Sequence, residues 1–231
     1  MTRDTVFARR QSFAFDGQVA EAFDDMVSRS VPLYAEMQRM VVDLAAAFAM
    51  PGSRVYDLGC STGTTLAALE DALPETVGLV GIDQSAPMVE IARARARRSN
   101  IQMGDLASVN LTDASVVLLI LTLQFVRPAL RPAIVQRILD GLKPGGALVL
   151  VEKVVSPCQK LDQTFIDLYH DHKRRQGYSE AEIENKRRAL ENVLIPYRLE
   201  ENLALLSGFA HVETFFRWHN FAGIVAVKAD A

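Results

Sequence analysis

The sequence predicts an α/β fold: a doubly wound, mostly parallel seven-stranded sheet with a terminal antiparallel hairpin and a helical cover, in one domain spanning 1–231. Three observations predict it. Short apolar runs, several ending in an acid, alternate with stretches of helical periodicity, the pattern of parallel strands joined by crossover helices. The run 54–63, RVYDLGCSTG, breaks at Gly59 and again at Gly63, and Leu66, Leu69 and Leu73 follow at helical spacing. This is strand, tight turn, helix. Near the C-terminus, Phe209–Trp218 and Phe221–Lys228 are strand-like runs separated only by His219 and Asn220. That gap holds no crossover helix and requires a hairpin.

In chain order, residues 1–20 are polar with scattered aromatics (Phe7, Phe13, Phe15), either a loose arm or a segment that orders over a ligand. Residues 1–50 otherwise read as an N-terminal helical segment. Val19, Phe23 and Met26 share one helix face, with Asp24 and Asp25 turned away. After Pro32 a second helix carries Met37, Met40, Val41, Leu44 and Phe48. Tyr34 opens that helix as a core aromatic or a ligand contact. Gly78–Asp83 is the second strand. Asp83 lies about 20 residues beyond the glycine loop, where nucleotide-binding α/β folds place a carboxylate for ribose hydroxyls. It also reads as an acid ahead of a helix capped by Ser85 with Pro87 in its first turn. Arg93, Arg95, Arg97 and Arg98 on that helix are a phosphate-facing patch or a solvated face.

Residues 101–106 form the third strand and its acid, Asp105, which either faces an adenine amino group or is a plain loop residue. Ala114–Phe125 is apolar enough for a central strand buried on both faces. A helix over 130–142, a break at Pro144-Gly145-Gly146 and a strand over 147–152 follow. Residues 154–206 are a charged helical insertion with helices over 161–175, 179–193 and 199–206, too long for a plain connection. Ser179 and Glu182 have the spacing of a capping box.

The totals exclude several classes. A net charge of −3 over 231 residues gives no electrostatic reason to bind nucleic acid. No apolar run is long enough to span a bilayer, and the N-terminus lacks an apolar signal core, so the expectation is a cytoplasmic protein without a membrane partner. Cys60 and Cys158 make neither a disulfide framework nor a metal set. His170 and His172 fall on different helix faces, and His211 and His219 flank the hairpin, so no metal site is expected.

The pattern Asp57-x-Gly59-x-x-x-Gly63 resembles the first motif of class I S-adenosylmethionine (SAM)-dependent methyltransferases, whose fold is Rossmann-like. It also suits a strand–helix turn that merely needs glycine. A more specific resemblance spans nearly the whole chain. Residues 19–26, 29–34, 56–61, 122–125, 144–150, 177–180, 186–187 and 190–193 resemble the carboxy-S-adenosyl-L-methionine synthases. The resemblance implies conversion of SAM and prephenate to carboxy-S-adenosyl-L-methionine and phenylpyruvate, the product serving as carboxymethyl donor for tRNA wobble uridine modification. It implies small-molecule substrates, no direct contact with nucleic acid, and a homodimer.

The same resemblance implies that Tyr34, Gly59, Cys60, Ser61, Asp83, Gln84, Asp105 and Leu106 contact the cofactor. Arg187 would pair with the carboxylate on the sulfonium methyl, as a planar guanidinium suits a planar carboxylate. By spacing alone, Arg187 reads as a helix-surface partner of Glu184 or Glu191, and it is the resemblance that puts it in the site. The chain departs from the family pattern at Ile120, where asparagine is common, and at Gln84. Two rival functions stand beside this one: an ordinary methyltransferase acting on a small molecule or tRNA, and a non-catalytic SAM-binding partner protein.

Overall fold

The computed structural model describes residues 14–231; the expectations on Phe7 and Phe13 lie outside them. Strands β1 (Arg54–Leu58), β2 (Gly78–Asp83), β3 (Asn100–Met103), β4 (Ala114–Ile120) and β5 (Leu142–Val155) are parallel. A two-residue β6 (Tyr197–Arg198) pairs with the end of β5. The hairpin β7 (His211–Trp218) and β8 (Phe221–Val227) joins antiparallel to β5. The order β3-β2-β1-β4-β5-β8-β7 gives the seven strands expected, and β6 is an addition. Strand order reverses between β1 and β4, and such a switch point opens a crevice at the carboxyl ends of the strands.

Helices α1 (Gly17–Ser30), α2 (Tyr34–Phe48), α3 (Thr64–Ala72) and α4 (Ala86–Arg95) cover one face around Met37, Leu66, Met88 and Leu118. Helices α5 (Arg131–Gly141) and α8 (Leu199–Leu205) cover the other around Leu119, Leu148 and Ile138. Between β5 and β6, α6 (Gln159–Arg175) and α7 (Glu180–Ala189) form the expected helical insertion. The Ser179–Glu182 capping box is formed, and Ser85 caps α4 through the Met88 N–H. Among the described residues no helix is long and apolar enough to cross a membrane.

The structure corrects the sequence reading in four places. The strand expected over 114–125 stops at Ile120, because Leu121 turns left-handed (φ 57°) and 123–125 form a 3-10 turn. Buried polar groups from elsewhere hold that turn. Glu152 accepts from the Leu123 N–H (3.0 Å), the Gln124 carboxamide bridges the Leu121 carbonyl and the Lys153 N–H, and Arg131 donates to the carbonyls of Val126 and Ile195. Strand β5 begins at Leu142 and carries the Pro144–Gly146 break as a bulge, with Gly145 at φ 70°. Helix α7 ends at Ala189, four residues early, as Asn192 turns left-handed.

The last correction concerns charge. Of the four arginines, Arg93 and Arg97 are exposed, as a solvated face requires, while Arg95 and Arg98 are half-buried and engaged elsewhere. Arg93 bonds the Ile101 carbonyl, Arg98 the carbonyls at the end of α3, and Arg95 pairs with Asp24. Asp24 and Asp25 are likewise engaged rather than turned away, Asp25 with Arg29.

Burial pushes the Glu152 carboxyl up to about 8, outweighing Arg131 and the backbone N–H groups that lower it. A raised folded value means that, between the ordinary 4.5 and about 8, the folded chain holds a proton the unfolded chain has released. Stability from this group is therefore present at low pH and lost as pH rises through that window. Glu152→Gln should flatten the fall in melting temperature between about pH 5 and pH 8; equal slopes in variant and wild type would show that Glu152 does not hold the proton.

Candidate active site

A cavity of about 760 Å³ opens at the carboxyl ends of β1, β2, β4 and β5, closed above by α1, α2, α6 and α7. That volume is in the upper range for small-molecule sites, room for a nucleoside and a second small ligand.

The glycine loop forms one wall. Gly59 has φ 85°, and a Cβ there would sit 2.5 Å from the Thr122 side chain; Gly63 has φ 76° and abuts Ala92. Both glycines are thus required by backbone and packing together. Gly59→Ala should lower stability by about 2 kcal/mol or more, read as a lower denaturation midpoint. An unchanged midpoint would mean that Thr122 yields freely.

Helix α1 is tied to this loop by a cluster invisible in the sequence. Arg95 pairs with Asp24 and bonds the Thr62 carbonyl and the Thr62 and Thr64 hydroxyls, while Thr62 donates to Asp24 (2.7 Å). Burial raises the Asp24 carboxyl, but the bonds from Arg95, Thr62 and Thr64 outweigh it and hold the group below its usual range.

Most of the residues expected to contact the cofactor converge here. Gly59, Cys60, Ser61, Asp83, Gln84, Leu106 and Tyr34 all line the cavity. Asp83 accepts from the N–H groups of Ser61 and Ser85 (2.9 Å each), so it serves as loop clamp and helix-start acid at once. Burial raises its carboxyl above the ordinary range against those bonds. Asp57, buried at the end of β1, is pushed up to about 7 by burial and then by the charge of Asp83.

Tyr34 accepts from the Gln38 amide (3.1 Å), whose oxygen accepts from Thr65, and burial raises the phenol to about 12. Cys60 is buried and its thiol pushed up, as suits a small packing residue and not a nucleophile. Asp105 is not brought in: it is exposed and caps its own turn by accepting from the Ala107 N–H, leaving Gly104 and Leu106 on the wall. Ile120 lines the cavity, and its carbonyl accepts from the Thr122 hydroxyl (3.1 Å).

Arg187, on α7 of the cover, lines the rim of the cavity, half-exposed, with its guanidinium forked onto Glu184 (2.8 and 2.9 Å). Of its two candidate surface partners, Glu184 makes the ion pair. Glu184 also takes Arg188, and these two hydrogen-bonded cations hold its carboxyl down to about 2.

Three cations on this side were missed by the sequence reading: Lys153, Lys173 and Lys186. Lys173 and Lys186 are almost fully buried, and Lys173 lies 4.3 Å from the Tyr169 ring centroid. Lys153 had a signal, a Glu-Lys pair ending an otherwise apolar strand run; Lys186 stood in the resembling segment 186–187 without a role, and Lys173 had none. His170 also faces the cavity, its imidazole lowered by burial and then by Lys173 and other nearby cations. The cavity wall thus carries Asp57 and Asp83 beside the glycine loop, and Lys153, Lys173, Lys186, Arg187 and Glu191 from β5 and the helical cover.

Comparison with known proteins agrees with this geometry. A methyltransferase-domain family model matches residues 55–146. The carboxy-S-adenosyl-L-methionine synthase of Methylococcus capsulatus is 50% identical, covering 99% of this chain and 100% of its own. That of Wolinella succinogenes is 46% identical with the same coverage, 99% and 100%. Among solved structures, human N-acetylserotonin methyltransferase in complex with SAM superposes with a TM-score of 0.61 at 18% identity. It covers 92% of this chain and 55% of that one, a likeness of fold.

Proposed function

The chain belongs to the carboxy-S-adenosyl-L-methionine synthase family, and from that premise we propose that it converts SAM and prephenate to carboxy-S-adenosyl-L-methionine and phenylpyruvate. The observation that carries the reading is Lys153, a cation on the cavity wall with no carboxylate in ion-pair distance among the described residues. SAM is itself a cation at sulfur, so moving its methyl group to a neutral acceptor would gain little from such an ammonium. A site that takes up a dianionic substrate and yields a carboxylated sulfonium would gain from it.

In this reading the glycine loop, Asp83 and Tyr34 hold the nucleoside and its amino-acid tail, and the cover holds the acid. Prephenate loses carbon dioxide and its ring hydroxyl as the ring aromatises. The departing hydroxide takes a proton from the sulfonium methyl to give water and an ylide, and the ylide carbon bonds to the carbon dioxide. No side chain attacks. The protein positions the partners, excludes water and stabilises the new carboxylate. The product then serves a separate enzyme that modifies the wobble uridine of tRNA. Two chains associate as a homodimer through the helical insertion.

One observation favours plain methyl transfer: Arg187 is already committed to Glu184. Incubation with SAM and prephenate decides between the readings. Phenylpyruvate should appear together with a SAM derivative heavier by one carbon dioxide. Their absence from well-folded, SAM-binding protein would leave only a methyltransferase or a non-catalytic SAM-binding partner.

A further inference from the structure

Lys153 stands apart from the other cations of the cavity. Its backbone is fixed on both sides: its N–H donates to the Gln124 amide oxygen (2.9 Å), and the next residue, Val154, donates to the Asn220 carbonyl (2.8 Å). The side chain lines the cavity from the carboxyl end of β5. Among the described residues no carboxylate lies within ion-pair distance of its ammonium. Its Nζ lies 5.0 Å from the centroid of the Tyr169 ring, and that of Lys173 lies 4.3 Å from the same centroid. Burial lowers its affinity for a proton, and Asp162, which acts only at a distance, is the one group that raises it.

A desolvated ammonium is costly unless an anion joins it. The proposed substrate offers two carboxylates, and they are not equivalent. One leaves as carbon dioxide and loses its charge on the way. A cation paired with it would stabilise the ground state more than the transition state and slow the reaction. The other carboxylate, on the 2-oxo acid side chain, keeps its charge throughout and can be held without that penalty.

We infer that Lys153 anchors the carboxylate that the second substrate keeps, its 2-oxo acid end, and leaves the departing carboxylate unpaired. This rests on the reading of the site given above. An arylpyruvate is then a ligand in its own right, bound as product by the anchor that held the substrate.

The test is calorimetry with protein loaded with S-adenosylhomocysteine, titrated separately with prephenate and with phenylpyruvate. Lys153→Met should weaken both by a similar factor, about 10- to 100-fold, the value of a charge-assisted contact. Lys153→Arg, which keeps the charge, should recover part of both, and SAM affinity should stay near wild type in each variant. In turnover the loss should fall on KM for prephenate and not on kcat.

Weakening of prephenate alone would assign Lys153 to the departing carboxylate and overturn the inference. So would unchanged affinity for either acid, an equal loss of SAM binding, or a wild-type protein that does not bind phenylpyruvate. Lys153→Arg that binds normally but turns over nothing would make the lysine a base instead. Failure of the synthase reading is a separate result: no carboxylated product from wild type, whatever the binding comparison gives.

Discussion

Replacing Asp83 with alanine is expected to weaken SAM binding by about 100-fold or more, because this carboxylate is proposed to accept both ribose hydroxyls at about 1.5–3 kcal/mol per charged hydrogen bond. A second loss adds to the first. Its two oxygens already accept from the Ser61 and Ser85 N–H groups, so the alanine also frees one arm of the glycine loop and the start of α4. The asparagine variant separates the two effects. Its amide oxygen still takes one N–H, while the charge is gone and the amide nitrogen faces a donor, so binding should fall by about tenfold with a smaller drop in melting temperature. Asp57 reports on the charge. Burial and then Asp83 raise it to about 7, so in Asp83→Asn the Asp57 carboxyl should titrate at lower pH, visible by carbon-detected NMR. Asparagine binding SAM as tightly as wild type would remove Asp83 from the ribose.

What the sequence made legible is what depends on local geometry. Gly59 and Gly63 were readable because a left-handed turn with a neighbour pressed against it admits little else, and the neighbours, Thr122 and Ala92, press whatever the ligand. Asp83 was readable because the end of a strand fixes where its side chain projects. The illegible parts are those whose partners come from far along the chain. Arg95 looked like one cation in a run of four, yet it meets Asp24, 71 residues away. The apolar stretch after Ala114 concealed a turn because the groups that satisfy it, Glu152 and Arg131, lie outside that stretch. Asp105 lies off the cavity wall for a related reason. A three-strand rhythm of terminal acids suggested a third ligand group, but a loop aspartate can satisfy its own backbone, and this one does.

The second large effect separates the carboxylated product from its precursor. Arg187→Ala should leave SAM affinity within about twofold of wild type and weaken carboxy-S-adenosyl-L-methionine by about 100-fold, the difference being one forked guanidinium–carboxylate contact. The fork is now occupied: Glu184 sits 2.8 Å from Nε and 2.9 Å from an Nη, so a ligand carboxylate must displace it. Glu184 stays ionised at any working pH, since Arg187 and Arg188 hold it down to about 2, and protonation cannot ease the exchange. Removing the competitor is therefore expected to act in the opposite direction. Glu184→Gln should tighten the carboxylated ligand several-fold, again without moving SAM. Arg187→Lys, which keeps the charge but not the fork, should fall between wild type and alanine. A structural role for the Arg187–Glu184 pair predicts something else: both substitutions would slightly lower the melting temperature and neither would discriminate between the two ligands. Parallel titrations of the wild type and the three variants with SAM and its carboxylated form measure that discrimination directly. If Arg187→Ala weakens the two ligands alike, the guanidinium does not read the carboxylate, and the cations deeper in the cavity must do so.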